Sequence, residues 1–244
     1  MVMKRIIGVI PARYASTRFP GKPLIDIAGK SMIQRVYEQC LKAKDLSEVI
    51  VATDDERIVN HVKEFGGLVM LTSPHHQSGT DRCAEVLANF PEQVDVVINI
   101  QGDEPFIDPE QINLLISAFN QENTQIATLI KKLSTEDEIK NPNVVKAIFN
   151  TRNEAIYFSR NPIPYRRNPE ANIHYYKHIG IYGYSNNTLK AITKLPISDL
   201  EKAESLEQLR WIEHGYTITL KETHLETTAI DTPADLERVL SSLK

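Results

Sequence analysis

The chain has little of what marks several protein classes. It holds 2 cysteines in 244 residues, Cys40 and Cys83. They form no metal-ligating spacing and both fall inside helical patterns, so reduced, buried thiols are expected. No apolar run approaches the roughly 20 residues of a membrane-spanning helix. The opening M-V-M-K-R leads into a short strand and not into a signal-peptide core with a small-residue cleavage site, so a cytoplasmic protein is expected. An excess of positive charge is also missing. Lys and Arg number 28 against 32 Asp and Glu, a net charge of −4, which argues against a protein that coats nucleic acid. There is no repeat, low-complexity tract or flexible linker, so residues 1–244 are expected to form one compact domain.

Apolar content of 41% and charged content of 25% fit a globular protein. The apolar stretches alternate with helical periods through the first half. Runs at 6–10, bounded by Pro11, at 49–52 and at 94–100 read as buried strands, and 68–71 as a third short strand. Between them lie helices, one opened by Ser31 and carrying Ile33, Val36, Tyr37 and Cys40, and one carrying Ile58, Val59 and Val62 and stopped at Gly66-Gly67. A third helix runs from about 81 to 89, and a fourth begins at Pro109. This rhythm predicts an α/β fold with a mostly parallel, doubly wound sheet. It then changes. Runs at 126–130, 144–149, 155–158 and 175–184 read as strands with no helix between them, and Asn150 to Asn153 as a hairpin turn. Residues 126–184 are therefore expected to form an inserted antiparallel lobe. Helical signals return at 187–194 and 205–214, a strand at 217–220, and a last helix starts at Thr232-Pro233.

The loop after the first strand carries Arg13, Arg18 and Lys22 with no acid before Asp26. Three cations on a short loop must find an anion or repel one another. Loops at the carboxyl edge of an open α/β sheet are where ligands bind, so a polyphosphate site is favoured over a solvated basic loop. The loop has a single glycine, Gly21, where a dinucleotide-binding turn needs G-x-G-x-x-G, so a nicotinamide-dependent dehydrogenase is disfavoured. Asp103, in Q-G-D-E-P, follows another buried strand and reaches the same edge, where a carboxylate can hold Mg²⁺. Asp231 is the candidate second ligand, although alone it reads as a helix-capping acid. The adjacent His75 and His76 lack a third ligand at metal spacing. Ser78, Thr80 and Arg82 offer hydroxyls and a guanidinium that can meet a base or phosphate; Thr80 also fits a helix cap. Strand alternation puts His174, Tyr176, His178, Gly180, Tyr182 and Tyr184 on one face, suited to a hydroxyl-rich ligand or to packing. Arg160, Glu207 and Gln208 read, by themselves, as solvated polar residues.

Taken together, the segments I-P-A-R-Y-A-S-T-R-F-P-G-K-P-L, V-A-T-D, H-Q-S-G-T-D-R, N-I-Q-G-D-E-P, Y-F-S-R, K-H-I-G-I-Y-G-Y, S-L-E-Q-L-R and A-I-D-T-P resemble the 3-deoxy-manno-octulosonate cytidylyltransferases, or CMP-Kdo synthetases. The likeness runs in order from about residue 6 to 235. It implies a Rossmann-like nucleotidyltransferase fold, Mg²⁺ dependence, a homodimer, and the reaction CTP + 3-deoxy-manno-octulosonate (Kdo) → CMP-Kdo + diphosphate, which activates Kdo for lipopolysaccharide assembly. By matching motif, it implies that Arg13, Arg18 and Lys22 grip the CTP phosphates. Thr53, Asp54, Ser78, Thr80 and Arg82 would lie around the cytidine. Asp103 and Asp231 would hold Mg²⁺, and Gln101, Arg160, His178, Tyr182, Glu207 and Gln208 would surround the sugar. Two other readings keep the same residues: a nucleotidyltransferase for another acidic sugar, such as an 8-amino variant of Kdo, and a nucleotide-binding regulatory protein without catalysis.

Overall fold

A computed structural model describes residues 4–15 and 19–242. Within it the chain divides into two compact units, Met1–Asn113 with Glu226–Lys244, and Leu114–Leu225. The second is wider than the 126–184 stretch read from the sequence, because it takes in residues 114–125 before it and the helices and strand that follow.

The first unit opens with β1 (Ile6–Ala12), almost wholly buried. Pro11 does not end this strand as its sequence suggests. Pairing of β1 with β6 stops at Val9, while pairing with β4 continues to Ala12, so the missing N–H leaves no ladder partner stranded on the β6 side. A small hairpin of β2 (Asp26–Ile27) and β3 (Lys30–Ser31) leads into α1 (Met32–Cys40). Ser31 caps α1 by accepting the Gln34 N–H at 3.2 Å. Then follow β4 (Glu48–Thr53), α2 (Glu56–Glu64), β5 (Leu68–Leu71), α3 (Gly79–Asn89), β6 (Val96–Asn99) and α4 (Pro109–Ser117). The strands stand in the order β6-β1-β4-β5, all parallel. From β1 the chain winds outward to β4 and β5, then returns to the other side of β1 as β6. The order therefore reverses between β1 and β6, and a ligand crevice is expected at the carboxyl ends of those two strands.

In the second unit β7 (Ile126–Lys132) is followed by the short α5 (Glu136–Lys140), the hairpin β8 (Lys146–Phe149) and β9 (Ala155–Ser159), then β10 (Tyr176–Ser185). Asn153 turns the hairpin with a φ of 60°, a backbone region asparagine tolerates. β10 pairs antiparallel with β7 and β8. α6 (Asn186–Ile192), α7 (Asp199–Glu204), α8 (Glu207–Glu213) and β11 (Ile218–Glu222) complete the unit, with β11 parallel to β7. The helix expected at 205–214 is α8 alone; Ser205, at φ 52°, breaks it from α7. The β10–β7 register slips between Ile179 and Tyr182. Two residues are bulged there, not one, so side-chain alternation is preserved and His178, Tyr182 and Tyr184 still share a face.

α9 (Pro233–Ser242) returns to the first unit. Ile230 and Val239 are buried against Ile27 and Met32, with Phe19, Phe106, Leu236 and Leu240 packed around them. This cluster fastens the end of the chain to the segment that follows the cationic loop.

Candidate active site

The carboxyl ends of β1 and β6 are drawn together by backbone. A Cβ on Gly102 would lie 2.8 Å from the Pro11 carbonyl oxygen, so only glycine permits this approach. The next residue is Asp103. Its carbonyl accepts the Ile230 N–H at 2.9 Å, which lays the segment before α9 beside it. Ile230 is fully buried, so its neighbour Asp231 is delivered to the same place.

Lys22 joins the two acids. Its Nζ donates to Asp103 Oδ2 at 2.8 Å and to Asp231 Oδ1 at 3.1 Å. The lysine side chain is only 15% exposed. Burial alone would lower its pKa, but Asp103 and then Asp231 outweigh that and raise it. Its share of stability is therefore held up to the ordinary lysine range and lost only as pH rises through the folded value. Asp231 is not the capping acid of α9. Thr232 takes that place, its hydroxyl accepting the Asp235 N–H at 3.3 Å, while the Asp235 carboxylate accepts the Thr232 N–H at 2.8 Å and the Asp231 N–H at 3.1 Å. The Asp231 carboxylate is thus turned toward Lys22. Two carboxylates converging on one cation, with oxygen donors only, are the donor set of a hard divalent ion whose remaining positions go to phosphate and water. No group of three metal-ligating side chains occurs among the described residues.

The other nucleotide candidates also fall in the first unit. Arg18 lies outside the described residues. Arg13 is exposed at its start and donates to the His76 carbonyl. Tyr14 packs on Gly21, and the Arg57 guanidinium sits 3.3 Å from the Tyr14 ring centroid, so α2 steadies the loop. Ser78 caps α3 by accepting the Asp81 N–H at 3.1 Å, and the Asp81 carboxylate returns the bond. Thr80 is not the cap; it is buried one residue into the helix. Gly79 brings this helix start against Pro11 and Asn99. Thr53 ends β4 fully buried. Arg82 is fully buried too. It donates to Asp54 at 2.7 Å and to the Thr72 hydroxyl at 2.6 Å, so it holds the Asp54 loop in place from beneath. His76, flagged by sequence beside His75, pairs with Glu85, which also accepts the Ser73 N–H at 2.8 Å.

Gln101 also lies in the first unit, half-buried after β6. The remaining sugar candidates lie in the second. The His178 ring stands between Phe158 and Tyr182, each with a centroid 5.2 Å away, and contacts the Thr128 hydroxyl at 3.1 Å. Although the residue keeps some surface, enclosure of the ring pushes its pKa down to about 3. Tyr182 packs edge-on against Trp211 at 5.1 Å. Burial raises its phenol pKa, and its hydroxyl, which lies against Thr128, has no partner of good geometry among the described residues. A buried hydroxyl in that state is stabilised by any ligand that completes its bond. Glu207 and Gln208 open α8, with Gln208 buried. Arg160 donates Nε–H to the Glu204 carbonyl at 2.7 Å and Nη1–H to the Pro142 carbonyl at 3.1 Å. Glu204 and Lys146, which frame Arg160, were not singled out in the sequence. The S-x-x-E box at Ser198 to Glu201 is the signal that would have marked α7 and drawn attention to its end.

A family model described as cytidylyltransferase matches residues 7–222. The chain is 55% identical over 251 residues to the 3-deoxy-manno-octulosonate cytidylyltransferase of Parabacteroides distasonis, covering 99% of each chain. It is 53% identical over 240 residues to that of Cytophaga hutchinsonii, covering 96% of each. Among solved structures, a CMP:2-keto-3-deoxy-manno-octonic acid synthetase complexed with CTP matches with a TM-score of 0.93 and 45% identity over 98% of both chains. A 4-diphosphocytidyl-2C-methyl-D-erythritol synthase from Anaerococcus prevotii shares the fold, with a TM-score of 0.66 at 15% identity over 98% of both chains.

Proposed function

The chain belongs to the family of 3-deoxy-manno-octulosonate cytidylyltransferases and is a nucleotidyltransferase; we propose that it transfers CMP from CTP to Kdo. The anomeric hydroxyl oxygen of the sugar forms a bond to the α-phosphorus. The bond from that phosphorus to the bridging oxygen of the β-phosphate breaks, diphosphate leaves with the electron pair, and the hydroxyl proton passes to solvent. The observation that carries this reading is the convergence of Lys22, Asp103 and Asp231, three residues far apart in sequence, on one point at the carboxyl edge of the sheet.

Both reactants are anions, and two like charges about 4 Å apart repel by about 4 kcal/mol at an effective dielectric of 20. Cations must offset that repulsion and then stabilise the charge that moves onto the leaving group. Lys22, Arg13 and Arg18 grip the triphosphate. Asp103 and Asp231 would hold a Mg²⁺ ion, which when bound neutralises phosphate charge and acidifies an oxygen it touches. Thr53, Asp54, Ser78 and Thr80 surround the cytidine, with Arg82 bracing Asp54. Gln101, Arg160, His178, Tyr182, Glu207 and Gln208 surround the sugar, and the guanidinium fork of Arg160 meets its carboxylate. The family resemblance supports a homodimer acting in the cytoplasm and feeding lipopolysaccharide assembly. Among the described residues no helix is long and apolar enough to cross a membrane.

The test is detection of CMP-sugar by mass after incubation with CTP, Mg²⁺ and Kdo. CMP-Kdo and diphosphate in equal amounts are expected. Turnover of a different acidic sugar in preference to Kdo would reassign the substrate, and CTP binding without diphosphate release would make the chain a nucleotide-binding regulator.

A further inference from the structure

We propose that Glu204 is the positioning residue for sugar recognition, fixing Arg160 to the turn that launches Glu207 and Gln208. The inference rests on the assignment of those three residues to the sugar. Glu204 Oε2 accepts the Arg160 backbone N–H at 2.9 Å, and Glu204 Oε1 accepts the Ser159 hydroxyl at 2.6 Å. The Glu204 carbonyl accepts the Arg160 Nε–H at 2.7 Å, so one residue binds Arg160 through both backbone and side chain.

The remaining contacts complete a frame. Arg160 Nη1 donates to the Pro142 carbonyl at 3.1 Å, and Nη2 reaches the Ser205 carbonyl at 3.4 Å. The Arg160 carbonyl accepts from the Lys146 ammonium, which is fully buried and also donates to the carbonyls of Asn141 at 2.9 Å and Val144 at 2.6 Å. These bonds use three of the five guanidinium N–H groups, leaving a fork that cannot swing but can still donate to an anion.

Charge points the same way. Glu204 sets its carboxylate against two cations, Lys146 and Arg160. Burial already lowers the Lys146 pKa. Continuity of the chain supplies the second half of the role. Glu204 is the last residue of α7, Ser205 turns with a φ of 52°, and Leu206 caps α8, whose first two residues are Glu207 and Gln208. A shift of Glu204 therefore moves both sets of sugar contacts together. Preorganisation of this kind governs affinity because a donor displaced by a fraction of an ångström forfeits its bond.

Glu204→Gln keeps the volume, removes the charge and leaves one acceptor oxygen where two are used. The experiment is steady-state kinetics of the full chain with CTP and Kdo varied independently, for Glu204→Gln, Arg160→Gln and the double variant. The KM for Kdo is expected to rise about tenfold or more in Glu204→Gln, with kcat and the KM for CTP within about twofold of wild type. Because Glu204 acts through Arg160, adding Glu204→Gln to Arg160→Gln should raise the KM for Kdo little further. If Glu204→Gln does not fold, Ser159→Ala, which removes one bond to the carboxylate, should raise the same KM severalfold. An unchanged KM for Kdo in Glu204→Gln while Arg160→Gln raises it would overturn the positioning role alone. An unchanged KM in Arg160→Gln would remove the sugar assignment beneath it. Fully additive effects in the double variant would reduce Glu204 to a general stabiliser and contradict the proposal.

Discussion

Lys22 sits where two acids would otherwise repel one another. With its ammonium 2.8 Å from Asp103 and 3.1 Å from Asp231, each carboxylate is kept close to the other before any ligand arrives. Removing the lysine, or halving the charge beneath it, should harm turnover far more than folding. Lys22→Ala and Asp103→Asn are each expected to lower kcat by about 10²–10³, the range seen when a preorganised charge is removed from a reacting phosphate or oxyanion. Near-normal turnover in both, with an unchanged unfolding midpoint, would contradict the role. His178 offers a pH test. Enclosure depresses its pKa to about 3, below the roughly 6.5 of an unfolded histidine. The folded state therefore binds fewer protons than the unfolded state between those values, and stability falls as pH drops from about 6.5 toward 3. Denaturant midpoints should fall more steeply from pH 7 to pH 5 in wild type than in His178→Gln, and equal slopes would show that the ring is not enclosed. At this scale the sequence was a partial guide. Asp103 could be read from its place after a buried strand. Asp231 looked like a cap, although the T-x-x-D pattern from Thr232 to Asp235 is itself a capping box, and nothing local shows that Lys22, 209 residues away, claims the Asp231 carboxylate.

Elements carry those residues to their positions. Ile230 is wholly buried against Ile27 and Met32, and its N–H bonds to the Asp103 carbonyl. Ile230→Ala should cost about 2–4 kcal/mol in denaturant unfolding from the lost burial and the cavity. It should also reduce turnover at temperatures where the chain remains folded, since Asp231 loses its anchor. Gly102 gives a sharper test, because a Cβ there meets the Pro11 carbonyl at 2.8 Å. Gly102→Ala should part the loops after β1 and β6 and lower kcat at least tenfold, with a stability loss of about 1–3 kcal/mol. Wild-type kinetics in Gly102→Ala would show that the close approach is not needed. The strands and long helices were legible because buried runs and 3.6-residue periods are local signals. Pro11 misled because its tolerance depends on where the neighbouring strand stops. α5 and α7 were missed because five- and six-residue helices carry too few apolar residues to show a period. The bulge in β10 needed knowledge of its partner, and only its even length saved the shared face of His178 and Tyr182.

For the molecule as a whole, the alternation of strands and helices was enough to give the α/β class, and the order β6-β1-β4-β5 then locates the crevice. The net charge of −4 conceals a cationic loop at that crevice, so the recognition of an anionic nucleotide is a property of placement and not of composition. Exposed Arg13 contributes through a field that salt screens over about 10 Å at 0.1 M, so the KM for CTP should rise with ionic strength in wild type and less so in Arg13→Ala. A salt response unchanged by that substitution would take Arg13 out of the phosphate grip. What joins these scales is the claim that Lys22, Asp103 and Asp231 meet on the triphosphate and its metal. Crystals grown with CTP and Mn²⁺ in place of Mg²⁺ test it most directly through the anomalous signal of the metal. A single strong peak is expected at coordination distance from both Asp103 and Asp231, with the Lys22 ammonium moved onto a phosphate oxygen. A peak away from both acids, or Lys22 still bridging them beside bound CTP, would contradict it.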